Sequence, residues 1–434
     1  MKHIRVRGTV AAALALTIAL GASACAPSSS SRSSAPSATS PSKPTTIQYW
    51  HINTKAFGAD AVNKLISDFN KTHTNITVEG RFYDGYSNLL TALQTSVAAG
   101  DAPAVAQIGY SRIKYVASTF PYVSMADLGV DTSGYRKPTL ALGQAGGKQA
   151  GLPYGLSALE VYYNAGLLKK AGLDPEALPT TWDGWQAAAK QMKSKLNVPL
   201  INFQQFTGDN YIPLAMVAGN GGTVLSCVNG SPKAAFNSEK GVQAIGLMGD
   251  LAKHGLATNL SSDQALQAFL GGKTATLITA SSSRANLEAQ SKFALGATQF
   301  PTFGNQARKI PAGGNALFSF AQSDDQKIAA REFIDYIATK DSSVTTYVKG
   351  TGYLPALKGA AETYTKSNVL QQEASKTLPA VVPWVSFPGP KGLQASQVMY
   401  DATQAIMGGT QSAQQALDDA AGRIDGDLAG STCD

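Results

Sequence analysis

Few side chains in this sequence are placed for acid–base or metal chemistry. Beyond residue 46 the histidines are His51, His73 and His254, and none has the spacing of an H-E-x-x-H helix that would hold zinc. The stretch closest to a nucleophile elbow, Gly155-Leu156-Ser157-Ala158-Leu159, lacks the second glycine of G-x-S-x-G. Neither a phosphate-cradling G-x-x-x-x-G-K-[ST] nor a C-x-x-C is present. The expectation is no metal, no cofactor and no catalysis. Asp and Glu are still numerous enough to supply the carboxylate pair of a glycosidase, so an exported carbohydrate-active enzyme stays as a rival reading.

The groups that are well placed suit binding. Trp50-His51-Ile52-Asn53, Asp84-Gly85-Tyr86-Ser87 and Gly109-Tyr110-Ser111-Arg112 fall at expected strand ends, where the loops of α/β sheets form ligand clefts. Aromatic faces there offer an apolar surface to the C–H face of a sugar ring, while hydroxyls and amides bond its edge. Tyr49 and Phe82 lie inside strands and are assigned to the core. Trp182 and Trp185 are assigned to helix packing.

Alternating short strands and longer helices position these groups and argue for α/β architecture. Strands are expected over 46–50, 75–82 and 104–108, with helices over 59–70 and 86–99 between them, the first carrying Ala61, Leu65, Ile66 and Phe69 on one face. Later segments repeat the alternation. Strands are expected at 161–163, 200–203 and 274–279. Helices are expected at 183–195, 239–254, 262–270, 325–339 and 412–428, the first of them capped near Thr181 or Asp183.

The start of the chain has a different character. Lys2, Arg5 and Arg7 precede an apolar run from Val10 to Leu20, then Gly21-Ala22-Ser23-Ala24 and Cys25. This is the layout of a signal peptide over 1–24, too short in its apolar part to span a bilayer. A cysteine directly after the cut resembles the lipobox of bacterial lipoproteins, with Ala22 where leucine is usual. The expectation is a lipidated Cys25 on the outer face of the cell membrane; the alternative is a freely secreted protein. Residues 25–46, nearly all Ser, Pro, Thr and Ala, read as a tether that reaches up to roughly 60 Å. Lys2, Arg5, Arg7, Arg32 and Lys43 supply five of the charges behind the formal net +7, and no acid lies among them, so the body carries only +2. Nucleic-acid binding therefore has no electrostatic motive. Cys227 and Cys433 are the thiols left in the body. An exported pair can form a disulfide, and a buried Cys227 with a free terminal Cys433 is the equal alternative.

Several segments together carry a family likeness: TIQYWH from Thr46, LQTSVAAGDAPAV from Leu93, GLPYGLSALEVYYNAGLLKKAGLDPEALPTTWDGW from Gly151, AFLGGKTATLITASSS from Ala268, AREFIDYIATKD from Ala330 and TGYLPA from Thr351. The chain resembles the extracytoplasmic solute-binding proteins of ATP-binding-cassette importers, in the class that takes sugars, oligosaccharides and glycerol phosphates. The resemblance implies a two-lobed periplasmic-binding-protein fold with a ligand cleft between the lobes and a hinge of crossing segments. It places one lobe at 47–156 and 318–362 and the other at 157–317 and 363–434. It implies a monomer that captures a sugar or oligosaccharide and docks on the permease. Within the class, likeness to glycerol-3-phosphate or glycerophosphodiester binders puts Tyr86, Ser157, Ser281, Ser282, Gly314 and Tyr353 at ligand-facing positions. Tyr211, with Phe206 and Trp384 as substitutes, is the expected aromatic platform. His51, Ser87 and Tyr110 complete the expected set. Two departures favour a neutral sugar over a phosphate. Ser87 stands where those proteins have an acid, and no arginine lies between Trp384 and Gly392, where Lys391 is the one cation.

Overall fold

The computed structural model describes residues 38–206, 208–359 and 368–433. The leader, Cys25 and most of the tether lie outside the described residues. Two sheets organise the chain. The first begins as the alternation predicts: β1 (Thr45–His51), α1 (Ala59–Thr72), β2 (Ile76–Phe82), α2 (Gly85–Ala99) and β3 (Val105–Gly109). The three strands run parallel with β1 in the middle, because each helix returns the chain to the same sheet end.

After β3 the pattern changes. Residues 152–164 are buried at every position, as a run facing packed elements on both sides must be. The run is split between sheets: β4 (Leu152–Ser157) joins the first, and β5 (Leu159–Asn164) becomes the centre of the second, between β6 (Thr276–Ala280) and β7 (Leu295–Gln299). Ala158 alone separates β4 from β5, so it is one crossing between lobes. The chain recrosses at β8 (Gly313–Ser319), which lies antiparallel between β3 and β4, and β9 (Leu354–Pro355) closes the far edge. The first sheet thus has six strands in the order β9-β4-β8-β3-β1-β2. Its return strand begins at Gly313, ahead of the expected boundary at 318.

The second lobe is completed by α3 (Trp182–Leu196), α4 (Tyr211–Gly219), α5 (Glu239–Lys253), α7 (Val369–Thr377), α8 (Gly392–Met407) and α9 (Ala413–Asp427), while α6 (Asp324–Ile334) packs on the first sheet. The cap of α3 is Thr181, whose Oγ1 accepts from the Gly184 N–H at 3.3 Å. The helix expected to run to Thr339 changes to π geometry over Asp335–Thr339. Trp182 and Trp185 are fully buried. Phe82 is not: it is 46% exposed, because β2 is an edge strand and Phe82 is its last residue. Cys227 and Cys433 are joined by a disulfide with Cα atoms 6.0 Å apart, which fastens the end of the chain to the hairpin of Leu225–Val228 and Ser231–Ala234. Among the described residues no helix is long and apolar enough to cross a membrane.

Candidate functional site

The two lobes meet at the C-terminal end of β3, where four strands present one row of residues. Gly109 of β3 pairs with Asn315 of β8, Asn315 with Gly155 of β4, and Gly155 with Pro355 of β9. The glycines in this row let tyrosine rings lie on the backbone. A Cβ on Gly109 would come within 3.1 Å of the Tyr86 ring, and one on Gly155 within 2.6 Å of the Tyr353 ring. Tyr86 and Tyr353 consequently approach each other, hydroxyl to hydroxyl, at 3.3 Å. Tyr353 also stacks near Tyr347 at 5.8 Å and meets Phe57 edge-on at 5.2 Å. Burial raises the pKa of both hydroxyls above the ordinary tyrosine range, so they act as neutral donors and acceptors.

From the second lobe, α4 supplies Tyr211. Its hydroxyl donates to the Ser157 carbonyl at 3.1 Å, and its ring centre lies 5.0 Å from that of Trp384 at 44°. Gly313 is the neighbour that makes room: a Cβ there would meet Ser157 Oγ and would lie 2.6 Å from the Tyr211 hydroxyl. Gly314 holds φ +103° against the Gly155 carbonyl, a conformation that L side chains rarely adopt. Trp384 packs against three separate apolar cores, which is how one loop residue is fixed at the junction of the lobes.

The Ser281 hydroxyl at the crossing has a structural partner. Ser281 Oγ accepts the Ala158 N–H at 3.1 Å, and the Ser281 carbonyl accepts from the Tyr162 hydroxyl at 3.1 Å. The neighbouring Ser282 carbonyl lies so close to Gly352 that a Cβ there would come within 2.7 Å. Ser281 and Ser282 therefore sit where the second lobe touches the turn leading to Tyr353.

Other expected residues lie apart. His51 projects on the face of β1 that carries Tyr49, 5.6 Å from that ring, and lines a groove of about 500 Å³ with Asn53, Lys55, Asn63, Phe82 and Asp84. Its Nδ1 accepts the Asn53 N–H at 3.3 Å, and burial lowers its pKa to about 4. Ser87 is exposed on α2, Tyr110 is buried in the core of the first lobe, and Phe206 is 42% exposed in the loop before α4. A further groove of about 1030 Å³ lies on the second lobe along α5 and the α8–α9 turn. It contains none of the expected ligand residues and no crossing segment, so its size alone does not make it the site.

Sequence reasoning passed over several groups here. Asn315, fully buried, gives its amide to the Tyr347 hydroxyl at 3.3 Å and leaves Oδ1 without a protein partner. Its signal was only its place after Gly313-Gly314. The run from Gln204 to Asn210 encloses four unpartnered side-chain oxygens, on Gln204, Gln205, Asp209 and Asn210. Such atoms are costly to bury without a donor, and ligand hydroxyls are suitable donors. Arg112, 7% exposed, reaches across and donates from Nη2 to the Gly208 carbonyl at 3.1 Å. Among the described residues no group of three or more His, Cys, Asp or Glu is arranged to hold a metal ion.

Comparison with known proteins gives this arrangement a family. Residues 64–380 match the family model described as bacterial extracellular solute-binding protein. The sn-glycerol-3-phosphate-binding periplasmic protein UgpB of Pectobacterium atrosepticum is 27% identical over 414 residues, 87% of this chain and 90% of that protein. Among solved structures, the cyclic alpha-maltosyl-1,6-maltose binding protein of Arthrobacter globiformis superposes with a TM-score of 0.77 at 22% identity, covering 89% of this chain and 99% of that one. UgpB of Mycobacterium tuberculosis in complex with glycerophosphocholine gives 0.77 at 19% identity, covering 88% and 98%. Both structural matches share the two-lobed fold. The chain belongs to the bacterial extracellular solute-binding proteins.

Proposed function

We propose that the protein is the substrate-binding component of an ATP-binding-cassette importer, and that it captures a neutral sugar or oligosaccharide between its lobes. The observation that carries this reading is the pairing of Tyr211 and Trp384 beside Ser157 and Gly313, an aromatic surface next to polar groups at the point where the lobes meet. Apolar burial of a sugar face on such rings supplies affinity, and the enclosed amide and carboxylate oxygens of residues 204–210 supply direction. Ligand that touches both lobes favours the closed arrangement by its differential contacts, and the closed form docks on the permease as a single chain. No step alters the ligand. Cys25 carries the lipid, and residues 25–46 tether the body to the outer face of the membrane.

The second reading, a glycerol phosphate or glycerophosphodiester as ligand, is favoured by the sn-glycerol-3-phosphate-binding relatives and by the glycerophosphocholine complex among the structural matches. A thermal-shift screen of neutral mono-, di- and oligosaccharides beside sn-glycerol 3-phosphate and glycerophosphocholine separates the two. Saturating sugar, at about 100 times its Kd, adds ~2.7 kcal/mol to the folded state. A shift with the phosphate esters and none with any sugar overturns the first reading. Chromatography of the incubated oligosaccharides checks for cleavage, and a product would replace both readings with a hydrolase.

A further inference from the structure

Arg112 of the first lobe and Asp209 of the second carry opposite charges where the two lobes touch. Arg112 follows β3 at the end of a single turn over Tyr110–Arg112 and is almost fully buried. One of its donors is used by the Gly208 carbonyl, and Asp209 is the next residue along. Asp209 is half-buried as a residue, yet its Oδ1 is enclosed and has no hydrogen-bond partner among the described residues. The position of Gly208 is fixed from two sides, since its φ is +66° and a Cβ there would lie 3.1 Å from Gln397 Oε1 and 3.9 Å from Arg112 Nη2. The carboxylate and the guanidinium interact through space. Burial pushes the Asp209 carboxyl up and Arg112 pulls it back, while Asp209 supports the guanidinium against the burial that lowers it.

A lone guanidinium in such a place would draw a phosphate, because its fork of donors matches phosphate oxygens. A carboxylate beside it has two effects. It cancels the positive field, and it sets a fixed negative charge against any entering anion, which penalises that ligand more than it penalises a hydroxyl. Lys391 does not restore the balance, since its Nζ is 3.6 Å from Asp427 and the side chain is mostly exposed.

We propose that Arg112 and Asp209 form a charge-compensated pair across the cleft that sets specificity, admitting uncharged polyhydroxyl ligands and refusing phosphate esters. The pair therefore rests on the reading of the cleft as the ligand site, and it names what that site excludes.

The test uses inorganic phosphate and sn-glycerol 3-phosphate as probes in thermal shift and titration calorimetry on the wild type, Asp209→Asn, Asp209→Ser and Asp209→Asn with Arg112→Gln. Circular dichroism checks that each is folded, and the serine variant covers a failure of the asparagine one. Asp209→Asn should bind sn-glycerol 3-phosphate at least about tenfold more tightly than the wild type, with an affinity that falls as salt rises. The double variant should lose that gain. Folded Asp209 variants with wild-type affinity for both probes overturn the pair, as does tight, salt-sensitive binding of sn-glycerol 3-phosphate by the wild type. A parallel titration with neutral oligosaccharides keeps the claims apart. Silence of every sugar together with a phosphate gain in Asp209→Asn refutes the carbohydrate ligand and upholds the charge pair.

Discussion

Stability of this protein should be greatest in mildly acidic solution, and Glu160 is the main reason. It lies near the start of β5, the central strand of the second sheet, fully buried, and among the described residues neither carboxylate oxygen has a hydrogen-bond partner. Burial lifts its pKa from 4.5 to about 8; Tyr162 and Arg284 draw it down and Glu373 adds to the rise. The folded chain thus keeps this proton up to about pH 8, whereas the unfolded chain releases it near 4.5. Between those values the folded state holds more protons, so stability falls as pH rises. At ~1.4 kcal/mol per unit the limit is ~5 kcal/mol, and relaxation around a buried group brings the expected loss to about 3. His51 acts in the opposite sense. Its pKa falls from 6.5 to about 4, so stability is lost as pH drops through that interval, by roughly 2–3 kcal/mol. These two slopes nearly cancel between about pH 4.5 and 6.5. Asp335, raised from 3.8 to about 6 by burial, adds a fall of its own up to about pH 6, so the maximum lies at the acid end of that interval. Urea unfolding of wild type and Glu160→Gln from pH 4 to 9 measures this directly. The variant should lose most of the fall above pH 6 and keep the acid limb. An unchanged alkaline slope in the variant would refute the assignment to Glu160.

Replacing Tyr211 or Tyr353 by Ala should weaken sugar binding by about 2–3 kcal/mol, a factor of roughly 30 to 150 in Kd; calorimetry on folded variants that finds wild-type affinity removes these residues from the site. Reduction of Cys227–Cys433, which closes a separation of 206 residues, should lower stability by about 3–5 kcal/mol. Denaturation with and without reductant measures it, and free thiols in the unreduced, denatured chain would dismiss the bridge. Changing Cys25 to Ser should release the body from membranes with ligand affinity intact; retention after a high-salt wash would contradict the lipid anchor.

What the sequence disclosed depended on whether the information was local. The β1-α1-β2-α2-β3 start followed from periodicities of 2 and 3.6, because each element there buries one face against a neighbour in sequence. The apolar run through β4 and β5 showed that something was buried, but not that Ala158 hands the chain from one sheet to the other. Periodicity records burial and is silent about which sheet supplies it. Phe82 went to the core for the same reason, since edge position belongs to strand order rather than to the strand itself. His51 is instructive in the other direction. It shares a strand face with Ile47 and Tyr49, but alternation alone did not show that its Nδ1 accepts the Asn53 N–H beside the Tyr49 ring. Asp209 lies in a stretch with no period at all, so its approach to Arg112 came only with the fold.

The bonds that join the lobes also bear on how a ligand can act. Arg112 to the Gly208 carbonyl and the Gly389 N–H to Ser118 Oγ are hydrogen bonds between lobes, and Gly352 rests against the Ser282 carbonyl. A typical hydrogen bond contributes only ~1 kcal/mol net, and one from a charged donor about 2. Polar contacts of this kind therefore hold the lobes together by a few kcal/mol, far less than the cores hold each lobe. A closing free energy of that size is within reach of a ligand. Shifting a population from 1:99 to 99:1 takes ~5.5 kcal/mol of differential affinity, which, on the proposed reading, a sugar stacked on Tyr211 of the second lobe supplies only when it also touches the first. A ligand held by one lobe alone would bind without closing the protein, however tightly it bound. A ligand that closes the protein must accordingly be recognised by residues on both lobes, and the proposed role of Arg112 and Asp209 as a pair drawn from the two lobes meets that requirement.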